Sequence, residues 1–140
     1  MKIIGFNYTK IAAERLKPVI KSNISTNIQI TEAKKEESEF FKSTEVAVLT
    51  FVYELNYNTQ EKKEEKLGEI KFEGRVLLSL SQEESKELWK SWKKKEVSTP
   101  LRLPVFNFIL KKCTAKSLPF QDELGLPFHI PMPRLSAQSQ

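Results

Sequence analysis

The residue types that most often perform catalysis are scarce in this sequence. It contains one cysteine, Cys113, and one histidine, His129. These two could form a nucleophilic pair, in which the imidazole takes the proton of the thiol. Cys113, however, lies in an apolar helical pattern, where a buried and unreactive thiol is the common case. We therefore expect neither catalytic residues nor enzyme activity.

Metal and cofactor sites also lack their usual sequence patterns. One cysteine and one histidine cannot supply the several Cys and His ligands of a structural zinc site. The glycines, at positions 5, 68, 74 and 125, do not have the spacing of a phosphate loop or a dinucleotide-binding turn. Paired acids such as Glu36 and Glu37 lie in polar stretches, where solvation is their simplest role. We expect no metal ion and no cofactor.

Lysines beside tryptophans form the remaining pattern with a possible binding function. The chain carries a net charge of +5, and most of the excess lies between Lys90 and Lys116. Trp89 and Trp92 stand among these lysines, and aromatic rings near cations can stack on nucleic-acid bases. However, 18 acidic residues are interspersed with the basic ones, which is typical of a solvated surface. Nucleic-acid binding is therefore our second hypothesis.

A long β-hairpin over Thr44–Ser81 organises the rest of the chain. Alternate residues are apolar from Ala47 to Tyr57 and again from Ile70 to Leu80, as successive side chains of a strand require. The loop between them, Asn58–Lys66, has no apolar residue and is expected in water. The second face of the first strand is also apolar, because it carries Val46, Val48 and Val52. That pattern predicts helices on one face of the sheet and a second subunit on the other.

Weaker patterns precede the hairpin. Ile3–Phe6 predicts a short first strand, and Ile11–Leu16 fits either a turn of helix or a continuation of that strand. Alternating isoleucines predict another strand over Ser22–Thr31. We interpret the charged run Glu32–Glu39 as a connector.

Two helices are predicted after the hairpin. Ser81 and Glu84 have the spacing of a capping box, and the helix that follows has a narrow apolar stripe that includes Leu88. Thr99-Pro100 then breaks the chain. The second helix should run from Leu101 or Pro104 to Lys116, and its wide apolar surface predicts packing on two sides.

The C-terminal stretch predicts an extended tail that packs on the domain. Leu118-Pro-Phe120 leads to an acidic turn at Gln121–Glu123, and several prolines exclude helix over Leu124–Leu135. Apolar residues between those prolines indicate docking, whereas residues 136–140 should fray.

Length and composition are typical of one globular domain, residues 1–140. Apolar residues make up 39% and charged residues 29% of the chain. No stretch approaches the roughly 18 apolar residues of a membrane span, and the apolar run at Met1–Asn7 is too short for a signal peptide. A single cysteine excludes an internal disulfide, so we expect a cytoplasmic protein without membrane insertion.

From about Ile24 to Leu135, the order of elements resembles the SecB family of export chaperones. The clearest part runs from Leu103-Pro-Val-Phe-Asn-Phe-Ile to Leu118-Pro-Phe120 and on to Leu126-Pro-Phe. It looks like the last helix of that family and the apolar, proline-containing stretch after it. The resemblance implies an α+β fold, with a small antiparallel sheet of about four strands and two C-terminal helices on one face. It also implies homotetramers and apolar grooves for unfolded polypeptide, whereas the basic charge of this chain counts against a contact with the export ATPase.

These patterns favour a non-enzymatic, SecB-like protein that binds unfolded or extended polypeptide in an apolar groove and assembles as a dimer or tetramer. Candidate groove residues are the large apolar side chains that the core can spare: Phe40, Phe41, Trp89, Trp92, Phe128 and Met132. The alternatives are a basic nucleic-acid-binding module and an oligomeric structural or regulatory protein. Salt separates the first two hypotheses, because phosphate contacts weaken steeply with salt and apolar contacts do not.

Overall fold

One antiparallel sheet and two helices make up the fold. The computed structural model describes residues 1–19, 21–36, 45–61 and 65–137. In chain order the elements are β1 (Lys2–Arg15), β2 (Asn23–Glu36), β3 (Glu45–Asn58), β4 (Lys66–Leu80), α1 (Gln82–Trp92) and α2 (Thr99–Leu124). The strand order is β1-β4-β3-β2, and the helices pack on one face of the sheet. The predicted α+β fold is confirmed.

The core lies between the helices and the two central strands. Apolar residues at alternate positions of β3, from Ala47 to Tyr57, are fully buried, and so are their neighbours on β4 from Ile70 to Leu80. The other side of the sheet, which we call the open face, is charged along β4. There Lys71 lies 3.6 Å from the carboxylate of Glu54. The alternation in the sequence therefore assigns both faces of the hairpin correctly.

Strand β1 is longer than the sequence indicates. It continues through the ambiguous stretch after Ile11 and ends at Arg15. Its register against β4 shifts after Ile3 and again after Tyr8. Each inserted residue reverses the phase of the alternation, so no regular period of two runs through the strand.

Strand β2 also extends beyond its predicted end at Thr31. The connector that we predicted from Glu32 is wrong for Glu32–Glu36, which continues the strand beside β3. These charged side chains are exposed, and Glu32 pairs with Lys34 at 3.1 Å. Because β2 is an edge strand, these charged side chains remain solvated and discourage pairing of β2 with another sheet.

The capping box of α1 forms as predicted. The hydroxyl of Ser81 accepts the backbone N–H of Glu84 at 3.2 Å, and the Glu84 carboxylate accepts the backbone N–H of Ser81 at 3.0 Å. The same carboxylate lies 3.0 Å from the amino group of Met1. The first turn of α1 is therefore fixed to the first residue of the chain.

Helix α2 is longer than predicted at both ends. Thr99 and Pro100 are its first two residues and do not break the chain before it. Pro104 lies in the second turn, and Pro119 lies inside the helix. The predicted acidic turn at Gln121–Glu123 is the last helical turn. Both prolines are exposed, so the carbonyl groups that they leave without an N–H partner can be solvated. Gly125, with φ of 65°, ends the helix in the left-handed conformation.

Buried residues hold α2 to the sheet in spite of these prolines. They recur every four positions along the helix: Leu101, Val105, Ile109, Cys113, Ser117 and Gln121. The side away from the sheet is exposed, and the described part of the chain does not cover it. No described helix is long and apolar enough to span a membrane.

Candidate functional site

An apolar groove lies between α2 and the segment that follows it, residues 126–137, which we call the tail. The groove has a volume of about 600 Å³ and is lined by Asn107, Leu110, Lys111, Thr114, Ala115, Leu118, His129 and Ile130. We call it the α2–tail groove. Its volume is within the range of about 300–1,000 Å³ that is usual for ligand sites.

The tail forms one wall of this groove because it turns back along α2. After the turn at Gly125, Leu126 is buried in the core. The Tyr57 hydroxyl donates a hydrogen bond to the carbonyl oxygen of Pro127 at 2.8 Å. Two residues later, His129 reaches Tyr53, which lies four residues before Tyr57 on β3. The tail therefore runs antiparallel to α2, beside its middle turns.

Gln121 is the centre of the polar contacts that fix the tail. Its side chain is fully buried, and its Nε2 lies 2.6 Å from the Tyr57 hydroxyl and 2.9 Å from Nδ1 of His129. The same nitrogen is 3.3 Å from the carbonyl oxygen of Pro127. Since Nε2 donates, Nδ1 of His129 must accept, which places the imidazole proton on its other nitrogen. The tail is therefore held by the neutral form of His129.

The electrostatic environment of His129 agrees with this assignment. Its Nε2 lies 3.5 Å from the hydroxyl of Tyr53. Burial lowers the pKa of His129 below its ordinary value, because the interior disfavours the charged imidazolium. Burial likewise raises the pKa of Tyr53 and of Tyr57. All the titrating groups of this network are therefore neutral near pH 7.

The tail contributes exposed apolar side chains next to the groove. Phe128 is 39% exposed and Met132 is 45% exposed, and across the groove Leu110 of α2 is 41% exposed. Phe128 and Met132 do not themselves line the groove, although their neighbours His129 and Ile130 do. Two of the six candidate groove residues thus belong to the segment that builds this site.

Two other candidates lie elsewhere. The structure places Trp89 and Trp92 on α1, and neither residue lines the α2–tail groove. The indole N–H of Trp89 donates to the Ser85 hydroxyl at 3.0 Å, and that hydroxyl donates to the carboxylate of Glu45. The ammonium of Lys35 lies 5.6 Å above the Trp89 ring. The structure therefore does not bring the six candidates into one groove, and Phe40 and Phe41 lie outside the described residues.

The surface of α1 offers little to a nucleic acid. The ring of Trp92 is already paired with Lys95, whose ammonium lies 5.3 Å from it. The lysines of this region share the surface with acidic residues, namely Glu83, Glu84, Glu87 and Glu96. Two half-buried indoles with bound cations are poor stacking platforms. A pocket of about 390 Å³ beside Trp89 is lined by four lysines and by Glu45, and nucleic-acid binding stays a prediction.

Cys113 does not have the surroundings of a reactive thiol. It is fully buried in the stripe of α2 that faces the sheet. Burial raises its pKa to about 12, although a hydrogen bond with Tyr8 acts in the opposite direction. A thiol with this pKa is not ionised near pH 7. The described residues also contain no cluster of three or more His, Cys, Asp or Glu that could hold a metal ion.

Sequence reasoning missed several groove residues. Leu110 was part of the wide apolar surface of α2, which we expected a neighbour to cover, and Leu118 was assigned to the stretch after the helix. These apolar residues were evident in the sequence, but whether they line a groove depends on the position of the tail. Gln121 gave no signal, because an amide within an acidic turn is usually solvated.

Comparisons with known proteins are sparse. No protein-family model matches the chain, and a search of curated proteins finds no match. Among solved structures, the chain is similar to the Mycobacterium tuberculosis Rv1957 SecB-like chaperone, in complex with a ChAD peptide from the Rv1956 HigA1 antitoxin. The identity is 13%, the match covers 96% of this chain and 90% of that chain, and the TM-score is 0.47. A likeness at this level carries no conclusion about what this chain binds.

Proposed function

We propose that this protein binds extended or unfolded polypeptide in the α2–tail groove, as a chaperone-like holdase that performs no chemistry on its client. The observation that carries the proposal is a groove of about 600 Å³ lined by Leu110, Leu118 and Ile130, with Phe128 and Met132 exposed on the tail segment that forms one of its walls. Burial of client side chains there would supply the driving force. A groove without catalytic groups is suited to holding a chain and releasing it unchanged.

The size of the groove limits what one copy can hold. Leu110 and Leu118 lie two turns apart on α2, which corresponds to roughly 12 Å along the helix axis. About four residues of an extended chain cover that length, and alternate side chains would point into the groove. Each buried apolar side chain contributes about 1.5–3 kcal/mol, and ordering the client offsets part of this gain. A single groove is therefore a weak site.

Self-association into a dimer or tetramer completes the proposal. Two surfaces support it: the exposed side of α2, and the open face of β3, where Val48 and Val52 are only half-buried. On that face Val48 lies opposite Leu77 of β4. Several grooves in one assembly would raise the apparent affinity for a long client by increasing its effective concentration.

An aggregation assay tests the proposed function. The protein should suppress aggregation of an unfolded client at a roughly stoichiometric ratio, without ATP. Leu110→Asp places a charge in the groove and should weaken protection. Ile11→Asp is the matched control, because Ile11 is similarly exposed, at 46%, and lies on β1 at the opposite flank of α2. Both variants are first checked for unchanged stability.

The result that contradicts the proposal is equally specific. The holdase function is wrong if the parent gives no protection at several-fold excess. If that protein also binds single-stranded nucleic acid at low salt and releases it at high salt, the lysine clusters become the functional surface.

A further inference from the structure

We propose that the α2–tail groove selects apolar segments that are flanked by acidic residues. This inference rests on the proposed function and adds the chemical class of the client. It starts from Lys111, which lines the groove and is itself exposed. An ammonium group at the rim of an apolar groove attracts carboxylates of a bound segment and repels its cations.

Helix α2 and the tail carry more cationic than acidic residues. The five cationic residues are Arg102, Lys111, Lys112, Lys116 and Arg134, of which Lys112 and Lys116 lie on the flank of α2 away from the groove. The acidic residues are Asp122 and Glu123, which are adjacent and lie in the last turn of α2. The lining of the groove on α2 begins at Asn107 and ends at Leu118, before those acids. A bound segment would therefore meet a surface with an excess of positive charge.

Arg102 lies on the same side of α2 as the groove. The buried residues of α2 recur every four positions, so the residues that directly follow them also share one side of the helix. Leu110, Thr114 and Leu118 are three of these and line the groove. Arg102 belongs to the same series, and its guanidinium lies 6.0 Å from the ring of Phe106, the next member. The groove thus has one cation at its middle and another beyond its N-terminal end, whereas Asp122, a member of the same series, lies beyond its C-terminal end.

These cations are available to a client. The ion pairs among the described residues are made by the amino group of Met1 and by Lys17, Lys34, Lys66 and Lys71. On the other flank of α2, the ammonium groups of Lys112 and Lys116 each lie 5.7 Å from an aromatic ring. Neither Lys111 nor Arg102 is paired with a carboxylate of the described chain, so an acidic client would not have to displace one.

The charge of the residues that flank a client segment distinguishes this inference from binding by apolar burial alone. Apolar burial alone would not depend on that charge. One exposed charge pair changes an equilibrium by about two- to fivefold, and salt screens the effect. We therefore expect an acidic-flanked segment to bind about three- to tenfold more tightly than a basic-flanked one at low salt. The difference should shrink at about 0.5 M salt.

Fluorescence anisotropy with labelled peptides tests the inference on the full chain. The peptides share one central segment of leucine and phenylalanine and are flanked on both sides by aspartate, serine or lysine. The expected order of affinity is aspartate, then serine, then lysine. Lys111→Glu should remove or reverse this order. The matched control Lys2→Glu changes the net charge equally but lies opposite Ser79 on the open face, and it should keep the order.

The outcomes separate the inference from the function on which it rests. Equal binding of the three peptides, or tighter binding of the lysine-flanked one, overturns the charge preference and leaves the groove as a polypeptide site. The same preference in Lys111→Glu as in the parent overturns its assignment to this groove. If no peptide binds at any salt concentration, the proposed function fails and the inference fails with it.

Discussion

The side-chain nitrogen of Gln121 lies 2.6 Å from the phenolic oxygen of Tyr57, and both residues are fully buried. Tyr57 donates its own hydrogen to Pro127, the second residue of the tail. One buried pair therefore joins the end of β3 to the end of α2 and to the start of the tail. The groove depends on this polar contact as well as on apolar packing.

Tyr57→Phe should lower the free energy of unfolding by about 1–3 kcal/mol. The variant leaves the buried amide of Gln121 with fewer partners and the Pro127 carbonyl with only the longer contact to Gln121, at 3.3 Å, and poorly satisfied buried groups are costly. Urea denaturation measures the change. Tyr8→Phe is the matched control and should cost less, because the Tyr8 hydroxyl makes a long contact of 3.4 Å with the Lys112 carbonyl oxygen and its other partner is the thiol of Cys113, a weak hydrogen-bonding group. Equal losses in both variants would contradict the special role of Tyr57.

Stability should decrease as the pH falls below the pKa of an unfolded histidine, about 6.5. Burial lowers the pKa of His129 in the folded protein, so the unfolded chain binds the proton more readily. The stabilisation is therefore complete above the unfolded pKa and is lost as the pH falls toward the folded pKa. One proton gives a slope of at most about 1.4 kcal/mol per pH unit.

Urea denaturation of the parent and of His129→Phe between about pH 5 and 7 isolates this contribution, because the carboxylates titrate mostly below that range. The difference in unfolding free energy between the two proteins should change with pH in the stated direction. A difference that stays constant over the range would show that His129 has the same pKa in both states.

Ile109→Ala should destabilise the protein by about 2–5 kcal/mol, the usual cost of emptying a well-packed site. Ile109 is fully buried in the stripe of α2 that faces the sheet. Leu103→Ala is the control on the same helix, and it should cost less than about 0.5 kcal/mol because Leu103 is 68% exposed. Phe108→Ala should lie between the two, since Phe108 is half-buried beside Phe6. Thermal or urea unfolding of the three variants checks the order.

Light scattering at micromolar concentration should give the mass of a dimer or tetramer. The physical reason is the apolar surface that this chain leaves on the open face, around Val48 and Leu77. Val48→Lys puts a charge into that surface and should lower the mass without unfolding the protein. A parent that elutes and scatters as one chain would remove this part of the proposal.

The hairpin and the start of α1 could be predicted because their signals are local. Alternation over more than ten residues assigns both faces of β3 and β4, and Ser81 and Glu84 form their contacts within one turn. The lengths of β1 and β2 could not be predicted, because inserted residues such as Thr31 interrupt the period. Because of Pro119 we predicted that α2 would end at Lys116. The last turns of the helix form all the same, since buried residues that lie four positions apart hold them to the sheet.

The groove could not be predicted because its geometry depends on contacts between distant residues. Tyr57 and Gln121 are 64 positions apart, and their pairing decides where the tail lies. The sequence indicated the apolar residues of the tail, including Phe128 and Met132. It could not indicate which side of α2 they would accompany.

The prolines of the tail have a consequence for the direction in which a client lies. Pro127, Pro131 and Pro133 have no N–H group, and the backbone of α2 is already bonded within its own helix. The tail therefore offers the main chain of a client fewer donors than the edge of a sheet does. With fewer such hydrogen bonds, main-chain pairing contributes less to fixing the direction of a bound segment. A peptide and its sequence-reversed counterpart should bind with similar affinity.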